Sequence, residues 1–550
     1  MDWKKLLSSE RIRKSRRTDI RNEFESDFGR IIYSPALRRM HDKTQVFPLT
    51  TDDNIHSRLT HSNEVMSLGF TFGLKLSESK PFQERTGKSE AELLRIIPIL
   101  LQNICLIHDI GNSPFGHFGE TIISKYFEDL FNNEEYKNIF DALSEPQKRD
   151  FQNYDGNAQG LRVLTKLQIL NDPFGLNLTY ATLASSIKYP NSDEINSIKK
   201  KKKAKEGEVL EKEFIESKKH GIFDSEKDYF NLIVDETSLR VGGRVIRHPL
   251  CYLMEAADSI AYLCMDMEDG FNKGVYSMDF ITKKFGKYKG ISVCDKICTL
   301  LEESTYNNAY KIVNTRIKLI AYFVDIAFNN FIANIEAIEA GTYNKELIED
   351  DKDNVYKIVK SFSTEIFKSR EINNLESTGY SVIVGLLDFY IDFIFLKGSK
   401  NKSFSNRAIA LISNSTIEAA IEETLIETCY RKLKKEKEAL EADLKPFRDK
   451  GKENTELEKS LHEVEEQIEK LNPLANKYSG LLGKQKEELL SVDEGKDISN
   501  VRLEIYNSIN PDFHDLDEYY KLRVIVDFIS GMTDQYALKH YQKISGQRIN

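Results

Sequence analysis

Cysteine is scarce in this chain, whose 550 residues include only six. None of the six belongs to a CxxC pair, and no other spacing among them suggests a zinc site. The count argues against a disulfide framework and favours free thiols in a reducing compartment. We therefore expect a cytoplasmic protein.

The chain also lacks long apolar runs and an excess of basic residues. Its longest apolar stretch near residues 96–107 contains a proline and two amide side chains, and it is too short to span a bilayer. Residues 1–17 have no apolar segment of the kind that a secretion signal requires. Because the net charge is −9, binding to nucleic acid would need a local basic patch.

Helix signals dominate the sequence and strand signals are rare, which predicts a mostly α fold. We divide the chain into an N-terminal arm (residues 1–50), a helical core (51–400) and a C-terminal helical region (401–550). Charge-rich residues 197–213 are predicted to form a surface insertion in the core. Residues 431–497 are rich in Glu, Lys and Leu, and they are predicted to form a charged helical protrusion or oligomer contact.

Glycine and proline add two local predictions. Gly242 and Gly243 separate two β-branched runs in LRVGGRVIR, which predicts a short hairpin. Pro446 and Pro473 are expected to interrupt the helices of the protrusion. A helical hairpin is therefore favoured there over a long coiled coil.

The stretch HDIGNSPFGHFGE, residues 108–120, concentrates groups that can bind metal and move protons. His108 and Asp109 end an apolar helix, where both side chains can leave the apolar face. Alone, such a pair is more often an ordinary helix terminus. His61 begins the preceding amphipathic helix, and Asp258 lies inside an apolar helix, where a carboxylate is costly unless it is paired or bound to metal. Two imidazoles and two carboxylates suit a divalent ion such as Mn²⁺ or Mg²⁺.

The second half of that stretch predicts a proton-transfer unit. Ser113 and Pro114 resemble a helix start, with Ser at the N-cap and Pro in the first turn. His117 and Glu120 then fall at i and i+3 of the new helix, so that the carboxylate can orient the imidazole. The alternative is a surface His–Glu pair without a catalytic role.

A further polar face is predicted on the helix that carries Asp258. Tyr262 and Asp266 follow at i+4 and i+8, so the three side chains share one face of an otherwise apolar helix. Such a face is typical of a cavity lining.

Together, these residues resemble the deoxyguanosine triphosphate triphosphohydrolases of the HD superfamily. The matching strings occur in the family's order between residues 34 and 537, and several are particular to this branch. They are SPALRRMHDKTQVFPL, RLTHSNEV, HDIGNSPFGHFGE, DGNAQGLRVL, NLTYATLASSIKYP, EAADSIAY and DFISGMTDQYA. The family often has Asp-Asp where this chain has Asp258-Ser259, and we expect this difference to leave the ligand set intact.

The resemblance implies roles for individual residues. The core would be an HD-type catalytic domain, and the arm would contribute to its active site. The implied metal ligands are His61, His108, Asp109 and Asp258, and the implied catalytic pair is His117 and Glu120. The implied substrate contacts are Gln45 at the 3′-hydroxyl, Tyr262 and Asp266 at the sugar, and Asn157, Lys188, Tyr189 and Lys219 at the triphosphate.

The activity implied by the resemblance is metal-dependent hydrolysis of dGTP to deoxyguanosine and inorganic triphosphate, in control of the deoxynucleotide pool. Three alternatives stay open. They are a triphosphohydrolase of broad deoxynucleotide specificity, a different HD phosphohydrolase, and a nucleotide sensor without activity. The family further implies a homo-oligomer, often a hexamer, with nucleotides or single-stranded DNA as allosteric effectors. Local basic clusters for DNA occur at residues 11–17, 199–203 and 431–437.

Overall fold

The computed structural model describes residues 1–13, 20–49, 55–168, 175–193, 195, 213–450, 453–478 and 505–547. Helices account for nearly all regular structure in these residues, and the sheet they contain is a two-stranded hairpin. The predicted mostly α fold is therefore confirmed. Most of the charge-rich segment 197–213, the basic run 199–203 and much of 431–497 lie outside the described residues.

The helices of the first half lead from the N-terminal arm into the core. They are α1 (Trp3–Leu6), α2 (Glu23–Ile32), α3 (Pro35–Arg39), α4 (Arg58–Glu78), α5 (Lys80–Thr86), α6 (Glu90–Leu94), α7 (Ile97–Ile107), α8 (Gly116–Phe131), α9 (Glu134–Phe140), α10 (Glu145–Gln152), α11 (Gly156–Arg162) and α12 (Tyr180–Ser186).

The second half continues in the same manner. Its helices are α13 (Lys227–Thr237), α14 (Pro249–Asn272), α15 (Met278–Gly286), α16 (Ser292–Glu302), α17 (Asn308–Ala333), α18 (Ile335–Glu339), α19 (Val355–Phe367), α20 (Arg370–Ile391), α21 (Lys397–Lys400), α22 (Lys402–Ile409), α23 (Asn414–Glu423), α24 (Leu425–Arg448), α25 (Thr455–Tyr478), α26 (Glu518–Ser530) and α27 (Asp534–Ile544).

The predicted hairpin is confirmed. Strands β1 (Arg240–Val241) and β2 (Arg244–Val245) pair antiparallel. Gly242 and Gly243 connect them with φ of +56° and +79°. Two-residue hairpin turns of this kind need positive φ at both central positions, which glycine adopts without steric cost.

The proline prediction for the protrusion was wrong. Pro446 lies within the last turn of α24, which continues to Arg448, and Pro473 lies within α25, which continues to Tyr478. The two helices pack against each other as a helical hairpin, with Lys437 Nζ 2.8 Å from a carboxylate oxygen of Glu465. Pairing of amphipathic helices supplies stability that outweighs the local loss of a backbone hydrogen bond at proline.

The centre of the core forms where α4, α7 and α14 pack together, with α2 of the arm lying across α7. Fully buried apolar side chains such as Phe72, Leu101, Ile104 and Ile260 fill the space between these helices. A second apolar cluster joins α8, α20 and α26. The three core helices thereby fix the positions of the polar residues that project from their ends and faces.

A buried ion network attaches the C-terminal region to this core. Arg162, at the end of α11, is fully buried and bonds carboxylates of Glu226, Glu423 and Asp527 at 2.8, 2.9 and 2.8 Å. Three carboxylates offset the cost of burying this guanidinium, although its Nη2 has no hydrogen-bond partner among the described residues. The domain boundaries at residues 50 and 400 stay a prediction.

One described helical segment is longer and more apolar than residues 96–107. Ile372–Lys400 has a mean hydropathy of 1.7 over an 18-residue window, enough by length and composition to cross a membrane. Half of that window is buried inside the protein, where α20 packs against α8, α26 and α27. Core helices of soluble proteins share these properties, and a buried core helix is the interpretation that this packing favours.

Candidate active site

The four predicted metal ligands converge from three helices. His61 lies in the first turns of α4, His108 and Asp109 follow α7, and Asp258 lies in the middle of α14. One potential ligand atom from each of His61, His108 and Asp109 can be chosen so that all lie within 4.8 Å of one another. A carboxylate oxygen of Asp258 lies 3.2 Å from His61 Nε2 and 3.5 Å from His108 Nε2.

The tautomer of His108 suits a metal ligand. Its Nδ1–H donates to the backbone oxygen of Cys105 at 2.7 Å, which leaves Nε2 directed toward Asp109 and Asp258. This Nε2 is buried and has no hydrogen-bond partner in the structure. Buried polar atoms without partners are rare because they are costly, and a divalent cation would satisfy this one. The residues present therefore fit the ion that the sequence predicted.

The electrostatics of the cluster also favour a cation. Burial tends to raise the pKa of Asp109 and of Asp258, but nearby cationic groups lower both below the usual range. For Asp109 the larger of these opposing effects comes from Arg58, and for Asp258 it comes from His108. Both carboxylates are thus held in the charged form that binds metal. His108 lowers the pKa of Asp258 as an imidazolium, and a bound cation would take the place of its proton on Nε2.

Arg58 is a site residue that the sequence analysis missed. It is buried at the start of α4, and its Nη1 donates to Oδ2 of Asp109. Its Nη2 lies 2.7 Å from where a Cβ on Gly116 would stand, so it also adjoins the turn before His117. Arg58 could have been found from its position three residues before His61, because this spacing places both side chains on one face of the helix.

The turn after Asp109 is held by close backbone packing. A Cβ on Gly111 would lie 2.1 Å from the backbone nitrogen of Gly160, so only glycine allows this approach. The predicted helix start at Ser113 was wrong, because α8 begins at Gly116. Phe115 precedes it with a left-handed φ of +61°, a conformation that ends the turn before the helix can begin.

His117 and Glu120 form the predicted pair on the first turns of α8. Nδ1–H of His117 donates to a carboxylate oxygen of Glu120 at 2.9 Å. The imidazole is exposed, whereas Glu120 is buried and its second oxygen has no partner. The charge of Glu120 raises the pKa of His117, against smaller opposing effects from Lys219 and Arg58. The arrangement can orient an imidazole and stabilise its cation.

Lys188 connects the cluster to a second buried carboxylate. Its Nζ lies 3.5 Å from Asp258 and 3.5 Å from Glu255, one turn earlier on α14. Glu255 also pairs with Arg247 at 2.8 Å. The Nε of Arg247 donates to the backbone oxygen of Lys188, and its guanidinium lies 5.2 Å from the ring centre of Tyr189. Glu255 and Arg247 therefore fix the Lys188–Tyr189 segment, and the sequence analysis identified neither.

Asp155 brings together two more of the predicted substrate contacts. One of its oxygens lies 2.8 Å from Lys219 Nζ, and the other accepts hydrogen bonds from the backbone and side-chain nitrogens of Asn157. A Cβ on Gly156 would lie 2.5 Å from Glu120 Oε1, so this loop packs directly against the His117 pair. Asn157 and Lys219 are thus brought beside the His117–Glu120 pair by Asp155, a residue that the sequence did not single out.

In the described part of the chain, the three predicted sugar contacts, Gln45, Tyr262 and Asp266, are not joined to one another as the predicted phosphate contacts are. Gln45 follows a segment that runs beside α4, where Lys43 O accepts a hydrogen bond from Arg58 N, and its amide oxygen is buried without a partner. Asp266 is buried, and burial raises its pKa to about 7. Tyr262 is half-buried one turn earlier. Within the described residues, no hydrogen bond joins Gln45 to either residue of α14.

Comparison with known proteins gives relatives over most of the chain. A "Deoxyguanosinetriphosphate triphosphohydrolase-like protein" of Listeria monocytogenes is 35% identical over 459 residues, which span 78% of this chain and 91% of the relative. A protein of the same description from Synechocystis is 32% identical over 413 residues, or 73% of this chain and 88% of the relative. A "Probable deoxyguanosinetriphosphate triphosphohydrolase" of Pseudomonas aeruginosa is 33% identical over 407 residues, or 69% of this chain and 78% of the relative.

A family model matches the C-terminal region. Residues 500–543 match the phosphohydrolase-associated domain. The match includes α26, which carries Asp527 of the buried ion network, and most of α27. The region is therefore joined to the core by buried ion pairs.

Proposed function

The chain belongs to the deoxyguanosinetriphosphate triphosphohydrolase family of hydrolases, and we propose that it hydrolyses dGTP to deoxyguanosine and inorganic triphosphate. The observation that carries the proposal is the position of the His117–Glu120 pair. It lies against the loop that holds Asn157 and Lys219, and Arg58 links it to the metal-binding cluster. Proton transfer, cation binding and phosphate binding are thereby combined in one site.

His61, His108, Asp109 and Asp258 would hold a divalent ion, with Mn²⁺ or Mg²⁺ as our candidates. The orphaned Nε2 of His108 and the two ionised carboxylates support this assignment. When bound, such an ion supplies Lewis-acid polarisation of an α-phosphate oxygen.

We assign proton transfer to His117. Its Nδ1–H is committed to Glu120, so Nε2 is the atom that meets either the attacking water or the departing 5′ oxygen. Glu120 keeps the ring oriented and stabilises the imidazolium when it forms. Because the raised pKa keeps His117 protonated to higher pH, the pair is suited to deliver a proton near neutrality.

Phosphate binding is assigned to Lys188, Tyr189, Asn157 and Lys219. The two lysines carry buried or half-buried positive charge close to the pair and the cluster, where they can stabilise the charge of a leaving triphosphate. Their present carboxylate partners, Glu255 and Asp155, hold them in place. Gln45, Tyr262 and Asp266 are assigned to the deoxyribose, and the unpartnered amide oxygen of Gln45 supports a hydroxyl contact there.

A steady-state assay with product identification tests this proposal. Purified protein is supplied with dGTP, the other deoxynucleotides and GTP, and the phosphate products are separated by ion chromatography. We expect inorganic triphosphate, with dGTP the preferred substrate and GTP a poor one. Release of monophosphate would contradict the reaction, equal rates for all deoxynucleotides would support the broad-specificity alternative, and nucleotide binding without turnover would support the sensor.

A further inference from the structure

A cavity of about 500 Å³ lies next to the metal-binding turn, but none of the residues assigned above to metal, proton transfer or substrate lines it. Ile110 and Gly111, which directly follow Asp109, form part of its wall. Other walls come from α3, from the end of α11, from the first turn of α23, and from the residues between α26 and α27. The space is therefore separate from the proposed active site and shares one turn with it.

Two cations line this cavity without an acidic partner. Among the described residues, Arg39 makes no hydrogen bond or ion pair, and Lys43 Nζ bonds only the backbone oxygens of Asn112 and Ser530. An ammonium group has three N–H donors, so one donor of Lys43 is left for another acceptor. In the described part of the protein, no carboxylate forms a hydrogen bond or ion pair with Arg39 or with Lys43 Nζ, although Asp534 and Asp109 act on Lys43 from nearby and raise its pKa against burial and Arg39.

Asp527, the acidic residue of the lining, is not a partner of Arg39 or Lys43. Asp527 is bonded by Gln159, Arg162 and Arg523, so its carboxylate is already neutralised from the other side. Burial lowers the pKa of Arg39, and burial followed by the charge of Arg39 lowers the pKa of Lys43 to about 7. A bound anion would offset the repulsion that the charge of Arg39 exerts on Lys43.

The remaining walls suit the rest of an organic molecule. Val163, Leu167, Phe528 and Met532 give one side an apolar surface. The volume falls in the range of pockets for organic ligands, about 300–1,000 Å³, and exceeds what a lone phosphate needs. Ser415 and Thr416 place the first turn of α23 in the lining, where backbone N–H groups favour negative charge.

We propose that this cavity binds a phosphate monoester with an apolar or aromatic body, its phosphate held by Arg39 and Lys43. The body lies against Leu167, Phe528 and Met532. Lys43 also bonds Asn112, whose side chain donates to Asp109, so occupancy is linked to the metal-binding turn through two hydrogen bonds.

Titration calorimetry with phenyl phosphate on the full-length, chelator-treated protein tests this. Arg39→Ala is expected to raise the dissociation constant roughly tenfold or more, as the loss of a charged hydrogen bond implies. Arg38→Ala is the matched control, because Arg38 and Arg39 are both exposed but only Arg39 lines the cavity, and it should leave binding unchanged. Inorganic phosphate should bind more weakly than phenyl phosphate, because it lacks the apolar body.

Two further variants keep the test decisive. Thr416→Trp fills the cavity without removing a cation and should abolish binding, even if Arg39→Ala is poorly folded by circular dichroism. Lys219→Ala, in the proposed active site, should leave the Arg39-dependent binding intact. The proposal is overturned if phenyl phosphate does not bind at millimolar concentration, if Arg38→Ala weakens it as much as Arg39→Ala, or if Lys219→Ala alone removes it. Equal affinities for inorganic phosphate and phenyl phosphate would contradict the proposal that the ligand has an apolar or aromatic body.

Discussion

Oδ1 of Asp534 accepts a 2.9 Å hydrogen bond from the backbone N–H of Phe115. Phe115 precedes His117 by two residues and has the left-handed φ that ends the turn before α8. The other oxygen of Asp534 accepts a 3.0 Å bond from the backbone of Thr44, the residue before Gln45. One carboxylate of the phosphohydrolase-associated region thus fixes two separate parts of the proposed site.

Asp534→Ala should therefore lower turnover while the helical fold is retained. Loss of both bonds lets the His117 turn and the Gln45 segment shift, and a misplacement of about 1 Å can cost roughly 10² in rate. The measurement is kcat for dGTP, with circular dichroism for the fold. Asp517→Ala is the matched control, because Asp517 also lies at the start of a C-terminal helix but does not contact the arm or the turn. Equal effects of the two substitutions would show that Asp534 acts only through stability.

Metal removal tests the convergence of His61 and Asp258. Chelation should abolish dGTP hydrolysis, and Mn²⁺ or Mg²⁺ should restore it. Asp258→Ala should lose bound metal in elemental analysis, because its carboxylate lies 3.2 Å from His61 Nε2 in the centre of the donor set. Ser259→Ala should keep metal, since Ser259 bonds Glu346 instead. Metal retained by the Asp258 variant would remove that residue from the ligand set.

The site was predictable from the sequence where one residue carries its own signal. Asp258 is conspicuous because a charged side chain inside an apolar helix needs a partner. His108 and Asp109 are conspicuous because a His-Asp pair at the end of an apolar helix is uncommon. Their convergence with His61 was inferred from the resemblance to a family. The structure supplies that convergence through the packing of α4, α7 and α14, which no local pattern encodes.

Other parts could not be predicted because they depend on tertiary contacts. Glu255 and Asp155 resemble ordinary helix and turn residues, and their importance lies in the lysines that fold against them. The apolar helix that His108 and Asp109 end is short: α7 starts at Ile97, and the preceding residues form a separate helix, α6, which ends at Leu94. The start of α8 was misplaced for a similar reason, because the left-handed Phe115 is held by the distant Asp534.

The pH dependence of turnover should report on His117. Glu120 raises the pKa of His117, so Glu120→Gln should lower that pKa. The limb of the pH–rate profile that belongs to His117 should then move to lower pH, whether it is the acidic or the alkaline limb. An alkaline limb would identify His117 as the acid, and an acidic limb would identify it as the base. An unmoved profile would contradict the pairing in solution.

Stability should vary with pH through His56. Its two ring nitrogens contact Asp269 at 3.0 Å and Glu64 at 3.1 Å. Burial lowers the pKa of His56, but these carboxylates outweigh it and raise the pKa to about 10. A raised pKa stabilises the fold fully below the unfolded value, about 6.5, and the contribution is lost as pH rises through 10.

His56→Gln should accordingly reduce the free energy of unfolding by about 1–3 kcal/mol at pH 6, the range for a buried charged hydrogen bond. The difference from wild type should shrink toward pH 10 in urea denaturation followed by circular dichroism. His41→Gln is the control, because the His41–Asp42 pair is exposed and surface pairs contribute little. A difference that stays constant with pH would rule out the ion-pair explanation.

Glu255→Gln should lower kcat/KM through Lys188 rather than through the substrate itself. The substitution removes the charge 3.5 Å from Lys188 Nζ and weakens the clamp of Arg247 on the Lys188–Tyr189 backbone. A displaced cation near the triphosphate should reduce kcat/KM roughly 10- to 10²-fold, by the same positional sensitivity as at Asp534. Glu268→Gln, a change at another ion-paired glutamate of α14, should leave kcat/KM near the wild-type value.

A double-mutant cycle separates this positioning role from a general loss of stability. Lys188→Met removes the ammonium group, so adding Glu255→Gln to that variant should cost little more, because the two residues act as one unit. Thermal unfolding of each variant checks that the compared proteins are folded at the assay temperature. If the two losses multiplied in the double variant, Glu255 would act independently of Lys188, and Arg247 would be the next residue to test.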